Sequence, residues 1–90
     1  MANIRINPDL LDSKATEVRT YKAQHDESIA KIKTLVNGLT EIWEGDAQKA
    51  FEANFNAMES TFNAFSESLE SYAKDMNKAA EAFRVADQTL

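Results

Sequence analysis

The second half of the chain carries the feature that most limits its fold. Stepping alternately four and three residues from Phe51 reaches Phe55, Met58, Phe62, Phe65, Leu69, Tyr72, Met76, Ala79, Phe83, Ala86 and Leu90. Every position on that path is apolar or aromatic, and all five Phe of the protein lie on it. An apolar repeat of about 3.5 residues belongs to a helix that packs along its length against other helices. The first half repeats the pattern less cleanly, through Leu11, Ala15, Val18, Lys22, His25, Ile29, Ile32, Val36, Leu39 and Trp43. Lys22 and His25 are its polar exceptions, and Tyr21, Leu35 and Ile42 widen it on one side.

The punctuation around these stripes is sparse. Asn7 is placed to cap the first helix, with Pro8 at the first helical position, where its missing N–H costs nothing. Asp9 and Asp12 then suit the positive end of the helix dipole. Only two Gly and one Pro occur in the 90 residues, too little turn chemistry for a many-stranded fold. Between the stripes lies only Trp43-Glu44-Gly45-Asp46. Gly45 can take the left-handed conformation that ends a helix, and Asp46 can cap the next. Gly38 falls inside the first helix and reads as a point of close packing.

These signals predict one all-α domain over residues 1–90, an antiparallel helical hairpin. Helix 1 runs from about 8 to 43, the bend covers 43–46, and helix 2 runs from about 46 to 88. A rod of two such helices, roughly 50 and 65 Å long, buries one seam and leaves the outer flank of each stripe wet. Since a buried Phe or Leu contributes about 1.5–3 kcal/mol, the economical solution is a two-fold dimer of hairpins forming a four-helix bundle. The core and dimer stripe is then Phe51, Phe55, Met58, Phe62, Phe65, Leu69 and Tyr72 of helix 2 with Ile29, Ile32, Val36 and Leu39 of helix 1. A column of small residues, Ala50, Ala57, Ala64 and Ser71, would admit a further helix at close range.

Composition excludes most chemistry. The net charge is −5, with the acidic excess concentrated after residue 40 and no basic cluster anywhere. That balance argues against nucleic acid and against anionic membrane surfaces. No Cys is present, so disulfides and thiolate metal sites are absent. His25 is the single His, a poor start for a metal site, and with Lys22 it reads as a polar pair that fixes helix register. Carboxylate pairs such as Glu67 and Glu70 have no cleft to perturb them, and neither a nucleophile elbow nor a phosphate loop occurs. No catalytic residue, cofactor or metal is expected, and the chain does not read as an enzyme. The first residues lack the 7–15-residue apolar run of a secretory signal peptide, and no stretch suffices to span a membrane.

Trp43-Glu44-Gly45 at the bend between two heptad stripes resembles the WXG-motif family. These are the early-secreted-antigen-like substrates of type VII secretion in Gram-positive bacteria and mycobacteria. Phe83-Arg84-Val85-Ala86-Asp87 is similar to the family's export signal, an aromatic followed four residues later by an acid, with Phe in place of the usual Tyr. Tyr72 does not match, because Met76 lies four residues on, while Leu90 supplies a following apolar position. The resemblance implies a small non-enzymatic protein that is cytoplasmic before export and then secreted without a cleavable signal peptide. It implies a homodimeric effector of the virulence type, or else the heterodimer partner or export chaperone of a larger toxin. It also implies that Trp43 and Gly45 of one protomer meet Phe83 and Asp87 of another, forming a label read by the secretion ATPase.

Overall fold

A computed structural model describes residues 5–88 of the chain. Helix α1 spans Pro8–Gly38, α2 spans Asp46–Ala57 and α3 spans Glu59–Gln88, with no strand among the described residues. Helix α1 packs antiparallel along α3, and α2 continues the second arm to the bend, so the molecule is a rod 69 Å long and 21 by 16 Å across.

The start of α1 follows the sequence. Asn7 is extended at φ −98°, its side-chain oxygen accepts the Leu10 N–H at 3.1 Å, and Pro8 occupies the first turn. The end of α1 does not. The α-helix stops at Gly38, and Leu39–Glu41 form a 3-10 turn, so residues 39–43 are not part of helix 1 as expected. The weak helix propensity of Gly and the Thr40 hydroxyl, which donates to the Asn37 carbonyl at 3.2 Å, both favour this tightening. A Cβ added at Gly38 would meet nothing within 4 Å, so Gly38 ends a helix and is not a close-packing point.

Gly45 and Asp46 also take roles other than those expected. Gly45 is itself the N-cap of α2, at φ 138° and ψ 177°, a region open in practice to Gly alone. Asp46 is the first helical residue and makes no side-chain cap; it serves the helix dipole from the first turn. The second arm is not continuous either. At Met58 (φ −87°, ψ −6°) the amide bonds back to the Phe55 carbonyl at 3.0 Å, and the Phe62 amide resumes the ladder on the Met58 carbonyl. Asn54, Asn56, Ser60 and Thr61, all weak helix formers, surround this hitch.

The heptad stripe of the second arm divides into two columns. Phe55, Phe62, Leu69, Met76 and Phe83 are half-buried on the seam with α1, while Phe51, Met58, Phe65 and Tyr72 stand exposed beside it. Among the described residues the buried apolar side chains are small, Ala15 of α1 and Ala73 and Ala80 of α3, together with Val36. Those alanines let the two backbones approach. The small column Ala50, Ala57, Ala64 and Ser71 lies on the exposed surface of the hairpin and takes no part in the seam with α1.

Opposite the exposed column, a polar ladder closes the seam. On α1, every seventh residue from Asp12 alternates in sign through Arg19, Asp26 and Lys33. On α3, Glu70, Asn77 and Arg84 repeat at the same interval. Arg84 binds Asp9 at 2.7 Å and Asp12 at 2.8 Å; Asn77 donates to Asp12 at 2.7 Å and accepts from Arg19 at 2.7 Å; Arg19 then meets Glu70 at 3.1 Å. Lys33 meets Glu59 at 2.7 Å further along. Partly exposed pairs of this kind add little stability singly, but together they specify one register of α1 on α3.

Candidate functional site

The bend presents a half-covered aromatic. The Trp43 amide donates to the Leu39 carbonyl at 2.8 Å, and its ring lies on Phe51 with centroids 6.1 Å apart and planes tilted by 46°. Trp43 nevertheless keeps 39% of its surface exposed. A groove opens beside it between Thr40, Glu44, Gly45 and Lys49. What is buried beneath is Gln48, whose side-chain amide donates to Glu52 at 2.9 Å. Trp43 is therefore more a wall of the bend than a plug within it. Its neighbour Ile42 projects from the turn and is 84% exposed.

The second expected element lies at the other end of the rod. Phe83 is half-buried on the seam, Arg84 points to the polar ladder, and Asp87 is exposed. Leu90 falls outside the described residues. From Gly45 to Asp87 the chain advances through 42 residues of nearly continuous helix, about 60 Å at 1.5 Å per residue. One protomer cannot bring Trp43 and Gly45 to Phe83 and Asp87.

Between the ends runs an uncovered apolar face. The exposed column Phe51, Met58, Phe65 and Tyr72 of the second arm is matched on α1 by Tyr21, Ile32 and Leu35, also exposed. The remaining expected stripe residues of the first arm divide, with Val36 buried, Ile29 half-buried on α1 and Leu39 half-buried in the 3-10 turn that follows it.

The polar pair in the α1 stripe is anchored by Asp26. Lys22 Nζ lies 3.2 Å from one carboxylate oxygen and His25 Nδ1 lies 3.2 Å from the other, while the His25 ring packs on Phe65 at 5.1 Å. A hydrogen bond from Ser66 on α3, then those from His25 and Lys22, lower the Asp26 carboxyl to about 2. Asp12 is likewise held below the ordinary carboxylate range, first by Asn77 and then by Arg84. Sequence reading missed this ladder, although its signal was present in the alternation of sign at every seventh residue from Asp12 to Lys33. Among the described residues no cluster of three or more His, Cys, Asp or Glu could hold a metal ion, and no helix is long and apolar enough to cross a membrane.

Comparison with known proteins agrees with this geometry. The model of a family described as proteins of 100 residues with WXG matches residues 3–88. An uncharacterized protein of Clostridium acetobutylicum is 30% identical over 87 residues, which covers 97% of this chain and 91% of that protein. Among solved structures, the secreted protein EsxB of Bacillus anthracis superposes with a TM-score of 0.82 at 25% identity, covering 97% of this chain and 99% of that one. EsxA of Geobacillus thermodenitrificans superposes with a TM-score of 0.85 at 22% identity, covering 99% and 96%.

Proposed function

The chain belongs to the WXG family, proteins of 100 residues built around Trp-Xaa-Gly, and from that premise we propose that it is a non-enzymatic substrate of type VII secretion that leaves the cell as a homodimer. Export as a folded rod is the reading, with Trp43 and Gly45 of one protomer and Phe83 and Asp87 of its partner forming the label that the secretion ATPase reads. After export the dimer acts by binding, as an effector.

One observation carries the proposal. The bend and the Phe83–Asp87 segment stand at opposite ends of a 69 Å rod, and side-by-side antiparallel pairing would join them into one surface at each end. Surface area supports the pairing. The chain exposes 7013 Å², whereas a globular monomer of 10.1 kDa exposes about 5,300 Å². The uncovered face from Phe51 to Tyr72 supplies an apolar contact for a second hairpin. EsxB, described as secreted, superposes over nearly its whole length.

The test is export from the native cell. Trp43→Ala and Asp87→Ala are expected to leave the dimer intact and to abolish secretion. Secretion persisting in both variants would overturn the label. The same exposed face also suits a different family member, so the second reading is a heterodimer partner or export chaperone for a larger toxin. Purification from the native cell separates the two, by recovering either the chain alone or a second polypeptide in equal amount.

A further inference from the structure

Ile42 is almost wholly uncovered in its own hairpin. Its amide is bound to the Leu39 carbonyl at 3.1 Å, and its side chain is the most exposed large apolar group among the described residues. Acids flank it, Glu41 on one side and Glu44 two residues beyond. At the opposite end of the rod, Ile6, Leu10 and Leu11 line a shallow apolar groove with Arg5 and Lys14 at its rim. Leu10 is 54% exposed there. The acids on the same turns, Asp9 and Asp12, are matched by Arg84, so their charge is offset locally. Among the described residues Lys14 pairs with Glu17, an exposed pair at 3.0 Å that is easily given up.

We propose that this groove is a socket for the bend of a second copy. The partner's Ile42 enters between Ile6, Leu10 and Leu11, while the partner's Glu41 and Glu44 meet Arg5 and Lys14. Size and charge are complementary, and the separation of the two features along the rod forbids the contact within one molecule. In a two-fold antiparallel pair it forms twice, once at each end. The central column from Phe51 to Tyr72 supplies apolar area that repeats every seven residues and tolerates slippage by a heptad. The end sockets do not repeat, so they set the stagger of the two rods.

The inference rests on the homodimer reading, and the experiment separates the two. Sedimentation equilibrium gives the dimer dissociation constant of the wild-type chain, of Ile42→Ala, of Glu41→Lys with Glu44→Lys, of Arg5→Glu with Lys14→Glu, and of all four reversals combined. Ile42→Ala and each reversed pair are expected to weaken the dimer at least about tenfold, and the combined reversal to return it to within about threefold of wild type. Because the chain lacks Cys, a variant carrying both Leu10→Cys and Ile42→Cys should oxidise to a covalent dimer and no larger species. A wild-type dimer indifferent to these changes, or one that yields no cross-linked dimer, overturns the socket and leaves the homodimer standing. A wild-type chain that is monomeric throughout overturns both.

Discussion

Arg84, near the end of α3, holds Asp12 on the first turns of α1 at 2.8 Å, and its other guanidinium nitrogen reaches Asp9 at 2.7 Å. The pairing fixes the orientation of the segment that contains Phe83 and Asp87. With Arg84 turned to the polar ladder, Phe83 lies on the seam and Asp87 faces solvent. Arg84→Gln is expected to lower global stability only slightly, since both pairs are partly exposed. The larger effect is local. Amide exchange should accelerate in the last turns of α3 and the first turns of α1, with the bend unaffected; uniform acceleration would show that Arg84 serves the whole rod equally.

The two glycines should respond in opposite directions. Gly45→Ala forces a side chain into φ 138° and is expected to cost about 1–3 kcal/mol, read as a lower melting temperature by circular dichroism. Gly38→Ala meets open space at an ordinary helical φ and should stabilise by up to about 1 kcal/mol.

The two apolar columns separate folding from association. Phe62 is half-buried on the seam, so Phe62→Ala should destabilise the protomer by about 2–4 kcal/mol at any concentration. Phe65 lies on the uncovered column, and Phe65→Ala should leave a dilute protomer nearly unchanged while weakening the dimer about tenfold or more. The melting temperature of the wild-type chain should rise with protein concentration, and that rise should shrink in Phe65→Ala.

Much of this was legible in the sequence, and the losses have physical causes. Asn7 and Pro8 announced the start of α1, and the unbroken stripe from Phe51 announced the second arm. The division of that stripe was not legible, because Phe62 and Phe65 are chemically identical and only the position of α1 distinguishes them. Backbone approach at Ala15, Ala73 and Ala80 was hidden for the same reason: small residues on several faces look alike until a partner helix selects one. The bend was found, but the assignment of Gly45 as a helix end failed because a glycine that precedes a helix and one that follows it leave the same trace. At the candidate site, Trp43 and the Phe83–Asp87 segment were visible as motifs, whereas Ile42 and its opposite groove needed exposures that no periodicity reports.

Acid should loosen the hairpin through the ladder. A carboxylate held low in the folded state contributes stability that is present above the ordinary range near 4 and is lost as pH falls through its folded value. With Asp26 lowered to about 2 and Asp12 shifted in the same direction, stability should be flat from pH 7 to about 5 and decline between about 4 and 2. Asp26→Asn should be less stable at pH 7 and should show a shallower decline in urea titrations; an unchanged pH profile would remove Asp26 as the cause.

Ala73→Leu inserts bulk where the backbones approach and should cost about 1–3 kcal/mol, while Ala64→Leu, on the exposed surface, should leave the melting temperature of a dilute protomer within a few degrees of wild type.

The ladder from Asp9 to Glu70 has one more consequence, for how many copies can join. A hairpin apolar on both broad sides could add neighbours without end, each new copy offering the next a fresh surface. Here, among the described residues, one flank of the seam carries charge pairs and the exposed aromatic column lies on the other. In the homodimer proposed above, two copies that cover each other's apolar columns would close as a pair, with no matching second column to carry growth on into a filament.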